Sequence, residues 1–381
     1  MSNWQIVKLG ELYSVHNGLS KGRQFFGTGY PFLTFSNVFN NWFLPNELDS
    51  LVQTTDKERE ACSIKYGDVF ITRTSETMNE LGMSSVALKD YPDATYNGFT
   101  KRLRPFTDKV LPNYIGYYLR SPKFRGKFMA FSSMTTRASL ANDNLLNMEI
   151  ELPPMDVQKK IASTLSRYDS LIDNYQKQIK LLEEAAQRLY KEWFVNLRFP
   201  GHENTKIVDG VPEGWEKKSI TDILDIKYGK DHKSLKEGDI PVFGTGGIMR
   251  YVNKGLHSGE TVLIPRKGSL NNIMLFNGTF WTIDTMFFTI PKEENVAKIA
   301  YHFLKRQDMY SYNIGAAVPS MTINILHSMK LLLPTMDIRQ LFENSIGKFY
   351  CAIEKLFTQL RLLTESRDRL LPKLLSGEIE I

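Results

Sequence analysis

The sequence predicts an α+β protein. Two mixed α/β heads are joined by two long antiparallel coiled-coil helices, laid out as a pseudo-two-fold repeat. Three observations carry this expectation. "LPPMDVQ" at Leu152–Gln158 returns as "LPTMDIR" at Leu333–Arg339, 181 positions further on. Each copy is followed by a long run of apolar residues at alternating spacings of four and three. The segments that precede the two copies also match each other, first at an offset of 211 or 210 and later at 181.

The helical runs come first. After Asp156, apolar residues fall at Ile161, Leu165, Tyr168, Ile172, Tyr175, Ile179, Leu182, Ala186, Leu189 and Trp193. This is a heptad seam. Adding 181 gives Phe342, Ile346, Phe349, Ile353, Leu356, Leu360, Leu363, Arg367, Leu370 and Leu374, and only Arg367 breaks the apolar register. Pro153 and Pro334 forbid helix just upstream, and Asp156 and Asp337 are placed to cap the first turns. A helix reaching Trp193 is roughly 57 Å long at 1.5 Å per residue. Two such helices, each with one apolar stripe, are each other's economical partners. The second begins after the second head and must run back to bury its stripe, so the pair is antiparallel. Leu371, Leu374 and Leu375 exceed what one seam uses and are expected to close the second helix against the first head.

The heads repeat less evenly. Trp4, Leu9, Val15 and Gly18 match Trp215, Ile220, Ile226 and Gly229, and Pro31 and Val38 match Pro241 and Ile248. Ser139, Leu140, Asp143, Leu145 and Met148 match Ser320, Met321, Asn324, Leu326 and Met329. The first copy is thus about thirty residues longer in its middle, expected as loops, where insertions are cheap. "GDVFITRT" and "ETVLIPRKGS" are β-rich runs that end in basic, turn-rich loops, "TFWTIDTMFFTI" is a further strand region, and "PNYIGYYLRS" and "VAKIAYHFLKR" read as helices. The domain expectation is a head over 1–153, a helix over 154–198, a Gly/Pro-rich linker over 199–214, a head over 215–333 and a helix over 334–381.

Composition narrows the function. The chain carries a formal charge of +6, with eight Lys/Arg from Lys101 to Lys127 against the single acid Asp108. Tyr114, Tyr117, Tyr118, Phe124 and Phe128 interleave that run, and a second basic run holds Lys227, Lys230, His232, Lys233 and Lys236. Such runs point to a polyanion, against the alternative of a solvated helix face. The two cysteines, Cys62 and Cys351, have neither metal spacing nor a disulfide framework, and the six histidines are scattered. No signal pattern and no stretch approaching a membrane span is present, so the expected compartment is the cytoplasm. "FGTG" at Phe26–Gly29 and Phe243–Gly246 is better read as strained turns than as a cofactor loop. The only Pro-Pro pair, Pro153–Pro154, is followed by Met155, not by the aromatic residue an amino-methyltransferase needs. No serine sits in a nucleophile elbow. The expectation is a chain with no catalytic, cofactor-binding or metal-binding residues of its own.

At these residues the sequence resembles a known family. "LPPMDVQKKIASTLSRYDSLIDNYQKQIKLLEEAAQRLYKEWF" resembles the first spacer helix of the specificity subunit of Type I restriction–modification enzymes. "LLPKLLSGEI" resembles that family's ending, and "DIPVFGTGGI", "VLIPRKGS" and "FWTIDTMFF" resemble one of its target-recognition domains. Val157 and Ile338 stand where the family usually has an acid, and Arg339 replaces its glutamine, which is expected to weaken a local cap without changing the fold. The resemblance implies a non-catalytic subunit whose heads each read one part of a split double-stranded DNA target. It implies two methyltransferase subunits using S-adenosylmethionine, and restriction subunits using ATP and Mg. A DNA-recognition subunit of a related Type IIB-like restriction–methyltransferase and a non-DNA coiled-coil scaffold are the alternatives. The duplicated basic loops argue against the scaffold.

The candidate DNA-binding residues are first those the two heads repeat. Arg73, Thr74 and Ser75 end the first β run, and Arg266, Lys267 and Ser269 end the second. Lys21 and Arg23 follow Gly18, as Lys230 and His232 follow Gly229. Arg137 in "SMTTRAS", Arg250 after "GTGGIM" and Arg102 in the first basic run complete the set.

Overall fold

A computed structural model of the chain describes residues 4–75, 80–131, 138–139, 141–313 and 318–381. The chain forms two compact units, Met1–Gln176 with Thr358–Ile381, and Lys177–Phe357. Each unit therefore holds one head and one half of each long helix. The helices run Met155–Phe194 and Met336–Ser376. Every seam position named above, in both helices, is buried or half-buried. In the first unit Ile161, Ala162 and Leu165, from the start of one helix, share a core with Leu371, Leu374 and Leu375, from the end of the other. The same core holds Leu9, Tyr114 and Tyr118 of the head, so the three leucines close the second helix as expected. In the second unit Ala186, Tyr190, Trp193 and Phe194, near the end of the first helix, pack with Phe342 and Ile346, near the start of the second. Start meets end in both units, which makes the pair antiparallel.

Arg367, the one polar seam position, is matched by chemistry. Its Nη1 donates to Asp169 Oδ1 at 2.8 Å, and Tyr117 Oη donates to the other oxygen of Asp169 at 2.5 Å. Its guanidinium also lies 5.5 Å from the ring centre of Trp42. Burial works against this charge, but the bonds to Asp169 and Asp368 outweigh it and raise the pKa of Arg367.

The two heads share one frame. Gln5–Lys8 pairs antiparallel with Glu149–Leu152, as Glu216–Ser219 pairs with Lys330–Leu333. Gln5 faces Leu152 and Glu216 faces Leu333, which reproduces the offsets of 211 and 181 residue for residue. The first head then places Tyr13–Asn17, Thr100–Pro105, Val69–Thr72 and Ser84–Val86 side by side. The second places Leu224–Tyr228, Met286–Pro291, His257–Pro265 and Met274–Thr282 in the same order, and adds Ile240–Gly244 and Gly247–Val252. Gly18 and Gly229 mark the same close approach. A Cβ at Gly18 would lie 2.0 Å from the carbonyl oxygen of Asn97, and one at Gly229 2.0 Å from that of Ile283.

Three local expectations are corrected. The extra length of the first head is not only loop, because it contains the helices Phe35–Asn40 and Asp56–Ala61. Both are capped by threonines, Thr34 and Thr55, whose side chains accept from the third residue onward. Val38 is buried in the first of these helices while Ile248 is exposed on a strand, so their sequence match is not a structural one. Asp156 and Asp337 lie inside the first turns, since the helices start at Met155 and Met336. There they favour the positive end of the helix dipole but do not cap it. The anchor is the residue two further on. Gln158 Nε2 donates to the carbonyls of Pro153 and Lys109, and its Oε1 accepts from the Leu111 amide. At the matching position Arg339 donates to Glu293 Oε2 at 2.7 Å and to the Glu294 carbonyl. The glutamine-to-arginine difference thus changes the partner, not the task.

Two predictions follow from the second unit's core. Phe342 is fully buried against Tyr190, Trp193 and Phe194. Phe342→Ala should cost about 3–5 kcal/mol, seen as a lowered urea midpoint with native far-UV dichroism retained below it. His302 is buried, stacked on Tyr190, with its Nε2 2.9 Å from Tyr350 Oη. Burial, helped by the charge of Lys305, pushes its pKa down to about 3. The unfolded chain binds that proton near pH 6.5, so its contribution is complete above this value and is lost as pH falls toward 3. Urea unfolding of His302→Gln should therefore depend less on pH between 6.5 and 4 than that of the parent chain. An equal dependence would show that His302 is not the acid-sensitive group.

Candidate nucleic-acid interface

In the first head the strand Val69–Thr72 delivers Arg73 to the surface. The Arg73 amide donates to the Phe99 carbonyl at 2.9 Å, and its Nη1 donates to Asn17 Oδ1 at 3.4 Å. The second head repeats this. The Arg266 amide donates to the Thr285 carbonyl at 2.8 Å. Its Nη1 donates to the Asp284 carbonyl at 3.1 Å, and its guanidinium lies 5.3 Å from the ring centre of Tyr228. Asn17 and Tyr228 end the matching strands Tyr13–Asn17 and Leu224–Tyr228. Each arginine is thus held at its backbone by one neighbour and steadied by another, with the cation left near the surface.

The next residues are pinned in the same way. Thr74 and Ser75 pair with Ser139 and Ala138, and Lys267 makes a bridge with Ser320. Positions 139 and 320 both precede a long helix. Lys267 and Ser269 are exposed, on a loop whose Gly268 adopts a positive φ. Arg137 lies outside the described residues.

The remaining candidates divide. Arg23 and Lys230 are exposed, with no side-chain partner among the described residues. The Lys230 carbonyl accepts from Trp281 Nε1, which fixes its backbone. Lys21 is tied down, since its Nζ lies 2.8 Å from Glu58 Oε2 and donates to the Gln53 carbonyl. That pairing with Lys21, first among several hydrogen bonds, lowers the pKa of Glu58. His232 is half-buried, and its Nδ1 has no partner among the described residues. Arg250 is half-buried and donates to the Leu235 carbonyl. Arg102 is turned inward, 3% exposed, and its Nη1 donates to the Ser63 carbonyl at 2.6 Å.

Arg102 typifies the first basic run. Arg104 pairs with buried Asp68 at 2.6 Å. Arg120 donates to the carbonyls of Ser84, Val38, Phe39 and Asn41, and burial pushes its pKa down to about 10. Lys123 and Lys127 lie against Glu151. The interleaved aromatics are core. These arginines are internal ties, so this run is not a basic surface. Position in the fold, not local charge density, separates them from Arg73 and Arg266. Sequence reasoning missed Asn17, Tyr228 and the exposed Phe99, Ile248 and Met249 around the arginine loops. For Tyr228, Phe99, Ile248 and Met249 the only sequence signal is apolar or aromatic character near a repeated basic loop, and for Asn17 it is the place just before Gly18.

Known proteins agree with this architecture. Residues 1–184 and 212–357 match the family model described as "Type I restriction modification DNA specificity domain". The chain is 25% identical to the Type I restriction enzyme MjaIX specificity subunit of Methanocaldococcus jannaschii, over 100% of this chain and 94% of that protein. It is 23% identical to the HindI specificity subunit of Haemophilus influenzae, over the full length of both. Its fold resembles the crystal structure of a Type-I restriction-modification system S subunit from M. genitalium, with a TM-score of 0.59 and 16% identity, over 98% of this chain and 96% of that one. Two matched segments, each containing one head with its arginine loop, place this chain in the Type I restriction modification DNA specificity family.

Proposed function

We propose that this chain is the sequence-specific DNA-binding subunit of a Type I restriction–modification enzyme and reads a bipartite target, one half with each head. The observation that carries the reading is the pair Arg73 and Arg266, which repeats in position, backbone tether and exposure although the surrounding sequence differs. A repeated cation at the same place in two related heads suits a repeated polyanion. In this reading residues 1–153 and 215–333 are the target-recognition domains, and 154–198 and 334–381 the spacer, with 199–214 as linker. Arg73, Arg266, Lys267, Arg23 and Lys230 supply the contacts, with Thr74, Ser75 and Ser269 beside them. Arg102 is left out because it is buried.

The chain itself carries no catalysis in this reading. It positions two methyltransferase subunits, which hold S-adenosylmethionine, and restriction subunits, which hold ATP and Mg, in the cytoplasm. Off-seam apolar residues of the helices, Leu171, Leu181, Phe357 and Leu362, are exposed and suit docking of those subunits. Among the described residues no helix is long and apolar enough to cross a membrane.

Three measurements test the proposal. The purified chain, given labelled S-adenosylmethionine and DNA, should transfer no methyl group until a methyltransferase subunit is added. Methyl transfer by the chain alone would overturn the non-catalytic assignment. Arg73→Ala and Arg266→Ala should each weaken DNA binding and reduce the slope of log K against log salt by about one if the arginine meets a phosphate. Unchanged affinity in both would remove the arginines from the interface. A four-residue insertion after Leu182 adds about one turn, roughly 6 Å, and nearly keeps the apolar stripe in phase. With 3.4 Å per base pair, the methylated motif should keep both halves and gain a gap longer by about one or two pairs. An unchanged gap would mean that the helices do not set the spacing.

A further inference from the structure

The heads share a frame, so the places where they depart from it are where different half-sites would be read. One departure is large. In the first head Phe32 and Leu33 pair parallel with Thr95 and Tyr96, and the chain then enters the helix Phe35–Asn40. In the second head Val242 and Phe243 pair parallel with Trp281 and Thr282, at the matching place. There the chain turns back instead, and Ile240–Gly244 and Gly247–Val252 form a two-stranded ribbon at the edge of the sheet.

The ribbon's side chains are unusual for an edge. Ile248, Met249 and Tyr251 are 51%, 56% and 44% exposed. Natural edge strands are ordinarily guarded by charge or covered. Strict alternation would turn one of two consecutive residues toward the sheet. Here the register breaks: Val242 faces Arg250 and Phe243 faces Ile248, so Met249 is an extra, bulged residue. The bulge allows Ile248 and Met249 to be exposed together, the kind of re-aiming bulges provide near functional sites. Gly244 makes room for it, since a Cβ there would lie 2.4 Å from Met249 Sδ.

Charge identifies the occupant. Residues 244–254 and 266–272 contain Arg250, Lys254, Arg266 and Lys267 and no acid. The two segments are joined, because Asn272 Nδ2 donates to the Thr245 carbonyl at 2.8 Å. An apolar tip on two joined segments whose only charged residues are basic suits DNA, whose major groove admits a two-stranded ribbon and presents the thymine methyl as its apolar feature. The geometry points to the bulged ribbon of the second head as a specificity element, with Ile248 and Met249 packing on thymine methyl groups in the half-site that head reads. The inference rests on the DNA-recognition reading above. It adds that this half-site contains thymine at the contacted positions.

The test uses the full chain co-expressed with its methyltransferase subunit, and the methylated motif is read by sequencing. The double variant Ile248→Ser, Met249→Ser should relax one or two adjacent positions in one half of the motif, leaving the other half and the gap intact. The variant Ile248→Leu, Met249→Leu should keep the parental motif. With the purified complex, uracil for thymine at those positions should weaken binding about four-fold for the parent, the worth of one buried methyl group, and leave the serine variant unaffected. An unchanged motif in the serine variant, or equal loss of all methylation in both variants, overturns the ribbon's role. If the parent chain yields no two-part motif at all, it is the recognition reading that fails.

Discussion

Two amphipathic helices of 40 and 41 residues cannot bury an apolar stripe by themselves, and the burial of those stripes governs the rest of the molecule. Each helix contributes half its stripe to one unit and half to the other. The head cores are not separate from the seam. Leu165 and Leu374 belong to the same apolar cluster as Leu9 and Tyr118, and Phe342 to the same cluster as Ile220 and Phe287. Removing a seam residue therefore loosens a head as well as a helix pair. Arg367 is tolerated in that seam because Asp169 and Asp368 accept from it and the Trp42 ring lies against it, while Tyr117 in turn donates to Asp169. A polar pair of this kind at a seam position also disfavours other registers, since slipping the helices would strand both charges.

On this foundation the heads divide conserved placement from variation within one chain. The strand that ends at Arg73 or Arg266, the tether to Phe99 or Thr285, and the close approach at Gly18 or Gly229 recur. The element that follows Leu33 or Phe243 does not. In the proposed reading, a common cation in a common place would orient a head on DNA without regard to sequence, and divergent side chains beside it would carry the difference between half-sites.

Net charge misleads when read as surface. Arg102, Arg104 and Arg120 look like a DNA-binding run but each reaches inward to carbonyls or to Asp68. Guanidinium forks suit this work, because several fixed donors can satisfy buried carbonyls that would otherwise be orphaned. Arg73 and Arg266, by contrast, follow the ends of matching strands and stay near the surface.

The sequence by itself determined the architecture. Period 3.5 in two stretches, proline ahead of each, and offsets of 211 and 181 specified the helices, their antiparallel sense and the pairing of Gln5 with Leu152 and of Glu216 with Leu333. These features are legible because periodicity and repetition are local or self-referring. Repetition also singled out Arg73 and Arg266 before any contact was known. Only the tertiary structure decided which basic residues face solvent, since the direction of an arginine depends on carbonyls distant in sequence, as Arg120 and Val38 illustrate. It alone replaced the match of Val38 with Ile248 by a helix in one head and a bulged ribbon in the other. Nor do the residues before Ile248 announce the bulge, because a bulge is a mismatch of register between two strands and belongs to neither strand alone.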